Sequence, residues 1–326
     1  MAHVTFIHGI ANKPPADDLM RIWVRALADA VQPLSLSDSG VSTSMVYWAD
    51  LLYETPVEDL SSFESTLENS PAAVDGAGNV PPPVPANAEE AKFLEALRAK
   101  LTHLSDAEIA AAATAEAAAP RTGATAATGA GAAGAPALER IPLPWFIKRQ
   151  FMNAFLRDVH HYLFDVSYAP PGKAPPVRIQ QTIRKRFVDA LCAQDVSKPH
   201  IVVSHSMGTV VAYDCLKRVD LCNAVDGLIT IGCPLGLDEV QDKLQPGWSR
   251  LDGFPGARVA GKWINLYDPM DPVCGFDPRL ANDFLKTGLP GVEDIKIEND
   301  GWWRHSATKY LRQPKFSDSL RKMLEL

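Results

Sequence analysis

The chain has 326 residues, 46% of them hydrophobic, and a formal net charge of −7, enough for one large domain or two small ones with a sizeable core. The acidic balance and the brevity of the longest basic run, Arg184-Lys185-Arg186, argue against a phosphate-tracking surface, so no nucleic-acid partner is expected. No apolar run approaches the roughly 20 residues of a transmembrane helix, so any membrane contact is expected to be transient.

The first nine residues, Met1-Ala2-His3-Val4-Thr5-Phe6-Ile7-His8-Gly9, run directly into a buried-strand pattern, with no basic n-region, apolar h-region or small-residue cleavage site. A cytoplasmic location is therefore expected. The five cysteines (Cys192, Cys215, Cys222, Cys233, Cys274) form no Cys-x-x-Cys pair and read as reduced thiols. No His/Cys/carboxylate cluster has ligand spacing and no Gly-rich phosphate loop occurs, so no metal and no organic cofactor is expected.

In chain order, the spacing predicts strands over Val4–His8, Val41–Trp48, His200–Ser204, Gly227–Gly232, Lys262–Tyr267 and Glu293–Ile297. Helical periodicity marks Asp18–Ala30, Val177–Ala193 and Thr209–Val219 between them. This alternation predicts an α/β fold, a mostly parallel sheet of about six strands covered on both faces. The expectation is a single domain over 1–326, interrupted after the second strand by an insertion, 51–176, too long for an ordinary connection.

Within the insertion, Ala88–Ala119 reads as a helix with Phe93, Leu94, Leu97, Leu101 and Leu104 on one stripe. Pro120–Ala137, nearly all Ala, Gly, Thr and Pro, cannot bury enough apolar surface to offset its ordering entropy, and a flexible linker is expected there. Ile141–Phe164 turns apolar again, with Lys148, Arg149 and Arg157 giving it a basic side. It fits either a lid or acyl-chain pocket, or a helix packed on the core.

His200-Ile201-Val202-Val203-Ser204-His205-Ser206-Met207-Gly208-Thr209-Val210-Val211 reads as strand, sharp turn, helix. A serine hydroxyl is a poor nucleophile without a base to take its proton and donors to hold the oxyanion. A tight strand-to-helix turn lifts the Ser206 hydroxyl above the sheet edge and sets the Met207 N–H beside it, at the positive end of a helix. The crowded turn demands small residues two before and two after the serine, which Ser204 and Gly208 supply. A second donor is expected from the loop closing the first strand, Phe6-Ile7-His8-Gly9-Ile10, with the Ile10 amide as candidate and His8 as a buttress.

In a Ser…Asp/Glu…His chain order, the base must follow Ser206. Of the eight histidines only His305 does, in Gly301-Trp302-Trp303-Arg304-His305-Ser306-Ala307. The acid is expected in Tyr267-Asp268-Pro269-Met270-Asp271-Pro272-Val273: Asp271 as the carboxylate curling under the loop, Asp268 as the turn cap, and Asp238 as a more distant candidate.

These segments (Phe-Ile-His-Gly-Ile at 6–10, Ser-His-Ser-Met-Gly at 204–208, Tyr-Asp-Pro-Met-Asp-Pro-Val at 267–273, and His305-Ser306) resemble the α/β-hydrolase superfamily, in particular its compact lipases and esterases. The resemblance covers about the first 50 residues and everything after roughly Val177, and leaves out the insertion. It implies a three-layer sandwich, an acyl-enzyme mechanism and an oxyanion hole of two backbone amides. Ser204 departs from the glycine usual at that position.

Fold and triad do not name a substrate. The leading expectation is a serine hydrolase cleaving a carboxylic ester, with the apolar segment 141–164 favouring a lipid-like or other hydrophobic acyl group. An amidase, thioesterase or acyltransferase would use the same three side chains. From another class, a non-catalytic binding protein could use the hydrolase fold, with the Pro/Ala-rich insertion facing a partner.

Overall fold

The computed structural model describes residues 1–58, 60, 63, 80–102, 145–173, 175–194, 199–274, 277–301 and 303–326. The expected linker, 120–137, and the C-terminal part of the expected helix Ala88–Ala119 lie outside the described residues.

Six strands form one sheet: β1 (His3–Ile7), β2 (Ser42–Val46), β3 (His200–His205), β4 (Val225–Ile231), β5 (Val259–Tyr267) and β6 (Val292–Lys296). They pair in the order β6-β5-β4-β3-β1-β2, every neighbour parallel. Each overlaps a strand expected from the sequence. The pleat sends alternate side chains to opposite faces. On β3, Val202 enters one core layer, whereas Ile201 and Val203 enter the other. Burial on both faces explains why the central strands β1, β3 and β4 read as mostly apolar runs rather than alternating ones.

Helices cover both faces. On one lie α1 (Ala16–Ala28) and, from the C-terminal region, α7 (Ala307–Leu311) and α8 (Pro314–Leu324). On the other lie α2 (Ala88–Thr102) and α3 (Trp145–Leu163) from the insertion, α4 (Ile179–Cys192), α5 (Met207–Arg218) and α6 (Asp238–Leu244). Helix α1 carries Asp17 and Asp18 in its first turn and Arg25 in its last, complementing its dipole, and buries Leu19, Trp23, Ala26 and Leu27. Helix α4 buries a straight i, i+4 row, Ile179, Ile183, Phe187 and Leu191. Helix α5 is buried from Met207 to Leu216, and its small and apolar side chains let it pack between the sheet and its neighbouring helices.

The insertion does not hang off this framework. Phe151, Phe155, Leu156, Val159 and Tyr162 of α3 and Phe93, Leu94, Leu97 and Leu101 of α2 belong to the same core cluster as α4 and α5. At roughly 1.5–3 kcal/mol per fully buried large apolar side chain, this docking is substantial. The expected basic outer side of α3 is only partly realised: Arg149 is exposed, but Arg157 is buried and paired with the carboxylate of Asp158.

Strand order decides where a site can form. From β1 the chain leaves for β2 on one side, and after the insertion it returns to β3 on the other. The helix after β1 covers one face and the helix after β3 covers the opposite one. The two loops diverge, opening a crevice beyond the C-terminal strand ends at this switch point. Gly9-Ile10 and Ser206 are the residues that stand there.

Candidate active site

Ser206 ends β3 and caps α5 with φ 54° and ψ −129°, outside the regions comfortable for a residue with a side chain. Such backbone costs on the order of 1–3 kcal/mol and persists only where the surroundings enforce it. Here the Ser206 N–H donates to Ile231 O at the end of β4 (3.0 Å), and a Cβ on Gly208 would come within 2.6 Å of His8 O. Ser204, standing where the resemblance expects glycine, fits because its hydroxyl donates to Ile229 O at 3.2 Å.

The structure brings Ser206, His305 and Asp271 together. The Ser206 hydroxyl lies 2.9 Å from His305 Nε2. On the far side of the ring, Nδ1–H faces both carboxylate oxygens of Asp271 at 2.9 Å each. All three residues are buried, with 1% or less of their surface exposed. Asp271 Oδ1 also accepts the Val273 N–H (2.8 Å), and Oδ2 accepts the Tyr310 O–H (2.6 Å). Burial by itself would push this carboxyl up; the charge and hydrogen bond of His305, with those of Tyr310 and Val273, outweigh it and hold the carboxyl below its ordinary value.

The neighbouring carboxylate is employed differently. Asp268 accepts N–H bonds from Met270 (2.8 Å) and Asn299 (2.7 Å) and faces Arg304 at 3.3 Å, capping the turn after β5; burial pushes its carboxyl up despite these donors. Asp238 begins α6, exposed and paired with Lys100, and has no contact with His305.

The two loops expected to supply the amide donors meet at the serine. A Cβ added at Gly9 would stand 2.4 Å from Ser206 Cβ and 2.9 Å from its Oγ, so only a glycine allows the loop to lie this close. Among the described residues neither the Ile10 nor the Met207 N–H has a hydrogen-bond acceptor. Buried amides are normally paired, so two vacant ones flanking a hydroxyl are a ready place for a negatively charged oxygen. His8 braces this loop: it accepts the Trp48 N–H at Nε2 (3.0 Å), donates to Gly9 O from Nδ1 (2.8 Å), and stacks on the Trp48 ring. Burial, helped by the charges of Lys13 and Arg186, lowers its imidazole to about 3, so it is neutral at ordinary pH.

Three supporting residues escaped the sequence reading. Tyr310 anchors Asp271 from α7, as described above. His205, next to the serine, donates from Nε2 to the backbone carbonyl of His305 at 2.7 Å; burial and the neighbouring His305 keep its imidazole well below the ordinary range. Gly232 takes φ +56°, and a Cβ there would lie 3.1 Å from both Asp271 Oδ2 and the His305 ring. Gly232 alone had a legible signal, as a glycine closing a strand next to the one bearing Ser206. Over the site, Phe151 of α3 packs edge-on against Trp303, with ring centroids 4.8 Å apart, and lies 6.2 Å from the His305 ring. The insertion therefore places aromatic surface beside His305.

Among the described residues no group of three or more His, Cys, Asp or Glu side chains could hold a metal ion, and no helix is long and apolar enough to cross a membrane. All five cysteines are free thiols, only Cys192 being exposed. The molecule is an α/β protein with a six-stranded parallel sheet flanked by helices, an architecture compatible with an α/β-hydrolase. No protein-family model matches the chain, and no curated protein matches it either.

Proposed function

We propose that the protein is a serine hydrolase of the α/β-hydrolase kind, cleaving a carboxylic ester through an acyl-enzyme on Ser206. The observation that carries this reading is the single imidazole joining two partners, Nε2 to the Ser206 hydroxyl and Nδ1 to the Asp271 carboxylate. In the proposed reaction His305 Nε2 takes the hydroxyl proton as Ser206 Oγ attacks the ester carbonyl. The Ile10 and Met207 amides receive the resulting oxyanion. The proton then passes from His305 to the leaving alcohol, and a water activated by the same imidazole releases the acid. Asp271 holds the ring in the tautomer with Nδ1 protonated and supports the imidazolium as it forms.

A hydrophobic acyl group, lipid-like or aryl, suits the aromatic surface of Phe151 and Trp303 beside His305. The same constellation would serve amide or thioester cleavage or acyl transfer, so the substrate bond is assigned by assay. The test compares short and long p-nitrophenyl esters with the matching amide and thioester, using wild type, Ser206→Ala and His305→Ala. Ester turnover is expected in the wild type, falling by about 10⁴-fold or more in both variants. A well-folded wild type that neither turns over any of these nor reacts with a fluorophosphonate probe would instead identify a binding protein on this fold.

A further inference from the structure

We propose that Asp158, on insertion helix α3, is a positioning residue for the oxyanion loop, making the insertion a working part of the site. The inference rests on the serine-hydrolase reading, in which the Ile10 N–H is one of two oxyanion donors.

The peptide unit joining Ile10 to Ala11 is held at both ends. Its N–H, on Ala11, donates to Asp158 Oδ2 at 2.8 Å, and its carbonyl, on Ile10, accepts from Lys13 Nζ at 2.6 Å. With that unit spoken for, the preceding amide, that of Ile10, is left without an acceptor beside Ser206. Ala11 sits at φ +69°, a conformation that alanine adopts at a cost and that requires external enforcement. Asp158 supplies it from a position 147 residues further along the chain.

The carboxylate is itself firmly fixed. Asp158 is fully buried; Arg157 donates to its Oδ1 from Nε (3.0 Å) and Nη2 (2.8 Å), and the Tyr53 hydroxyl donates to Oδ2 (3.1 Å). The Arg157 guanidinium lies 4.3 Å from the centre of the Tyr53 ring. A buried ion pair adds little net stability over a well-packed apolar pair. What it adds here is a rigid acceptor aimed at one loop amide, the requirement of a preorganised oxyanion site.

The test measures p-nitrophenyl butyrate hydrolysis and thermal stability for Asp158→Ala, Asp158→Asn and Tyr162→Phe. Tyr162→Phe removes another buried hydrogen bond of α3, from the Tyr162 hydroxyl to Asp214 (2.6 Å), away from the loop. Asp158→Ala is expected to lower kcat about 100-fold with KM changed less than about 3-fold, because a misaimed donor affects the transition state and not substrate binding. Asp158→Asn, whose amide oxygen can still accept the Ala11 N–H, is expected to recover to within about 10-fold of wild type, and Tyr162→Phe to stay within about 3-fold. If Asp158→Ala does not fold, Arg157→Met/Asp158→Leu removes the pair without stranding a charge and is held to the same criterion. A kcat within about 3-fold of wild type, or a loss matched by Tyr162→Phe at equal loss of stability, overturns the role of Asp158. Ser206→Ala with wild-type turnover would instead overturn the hydrolase reading beneath it.

Discussion

Replacing Tyr310 with Phe removes one oxygen from the buried support of Asp271 and leaves the ring in place. The lost O–H donates to Asp271 Oδ2 at 2.6 Å and also accepts the Asp268 N–H at 3.3 Å. A hydrogen bond to a charged group contributes about 1.5–3 kcal/mol, and the orphaned Asp268 amide adds about 1 kcal/mol, giving a loss of about 2–4 kcal/mol. For a chain of this length that corresponds to a melting temperature lower by about 3–6 °C. The pH dependence has a definite sign. Asp271 is held below its unfolded value, so it contributes stability that is complete above the unfolded carboxylate range and lost as pH falls through the folded value. Without the Tyr310 donor the folded value rises, so that contribution shrinks and the acid limb of ester hydrolysis moves to higher pH. Thermal melts and kcat/KM profiles of wild type and Tyr310→Phe, measured from acid to neutral pH, read both effects. A melting temperature within about 1 °C of wild type, with an unmoved acid limb, would refute the assignment of Tyr310 as the anchor of the acid.

The two aspartates of the loop after β5 should separate cleanly: Asp271→Asn is expected to cut kcat by about 10³–10⁴-fold with the fold intact, whereas Asp268→Asn costs stability but less than about 10-fold in rate. Reversal of that order in a paired kinetic assay would reassign the acid. Gly232→Ala forces a side chain into a left-handed position against the His305–Asp271 pair, so stability should fall by about 1–2 kcal/mol, with a disproportionate loss of kcat. Unchanged melting and turnover would mean that the backbone there relaxes freely. His8, lowered to about 3 by burial, stays neutral in the fold but charges in the unfolded chain below its ordinary value, so stability falls as pH drops. His8 is expected to contribute about 2 kcal/mol of the loss between about pH 8 and pH 5, with His161, His200 and His205 acting in the same direction, and denaturant unfolding at the two pH values should find the total loss smaller by about that share in a folded His8→Gln variant.

Local chemistry made much of this protein legible in its sequence. The central strands β1, β3 and β4 are mostly apolar because both their faces are buried, whereas β2 and β6 at the sheet edges are more polar and partly exposed, and the rows of α1 and α4 follow from helical spacing. Ser206 was marked by the strand and helix on either side of it, and His305 by being the one histidine downstream. Asp268 and Asp271 both precede a proline and are ranked by distance from the strand: Asp268, directly after it, caps the turn, whereas Asp271, three positions further, can curl back under the loop. Tertiary structure alone decided which distant residues support these. Tyr310 reaches Asp271 because α7 packs beside α1; His205 reaches the His305 carbonyl, and Asp158 the Ala11 amide, because the chain crosses β1 to build β3 and packs its insertion on the core. Such contacts leave no periodicity or spacing in the chain, since they depend on strand order and on how helices pack, not on neighbours in sequence.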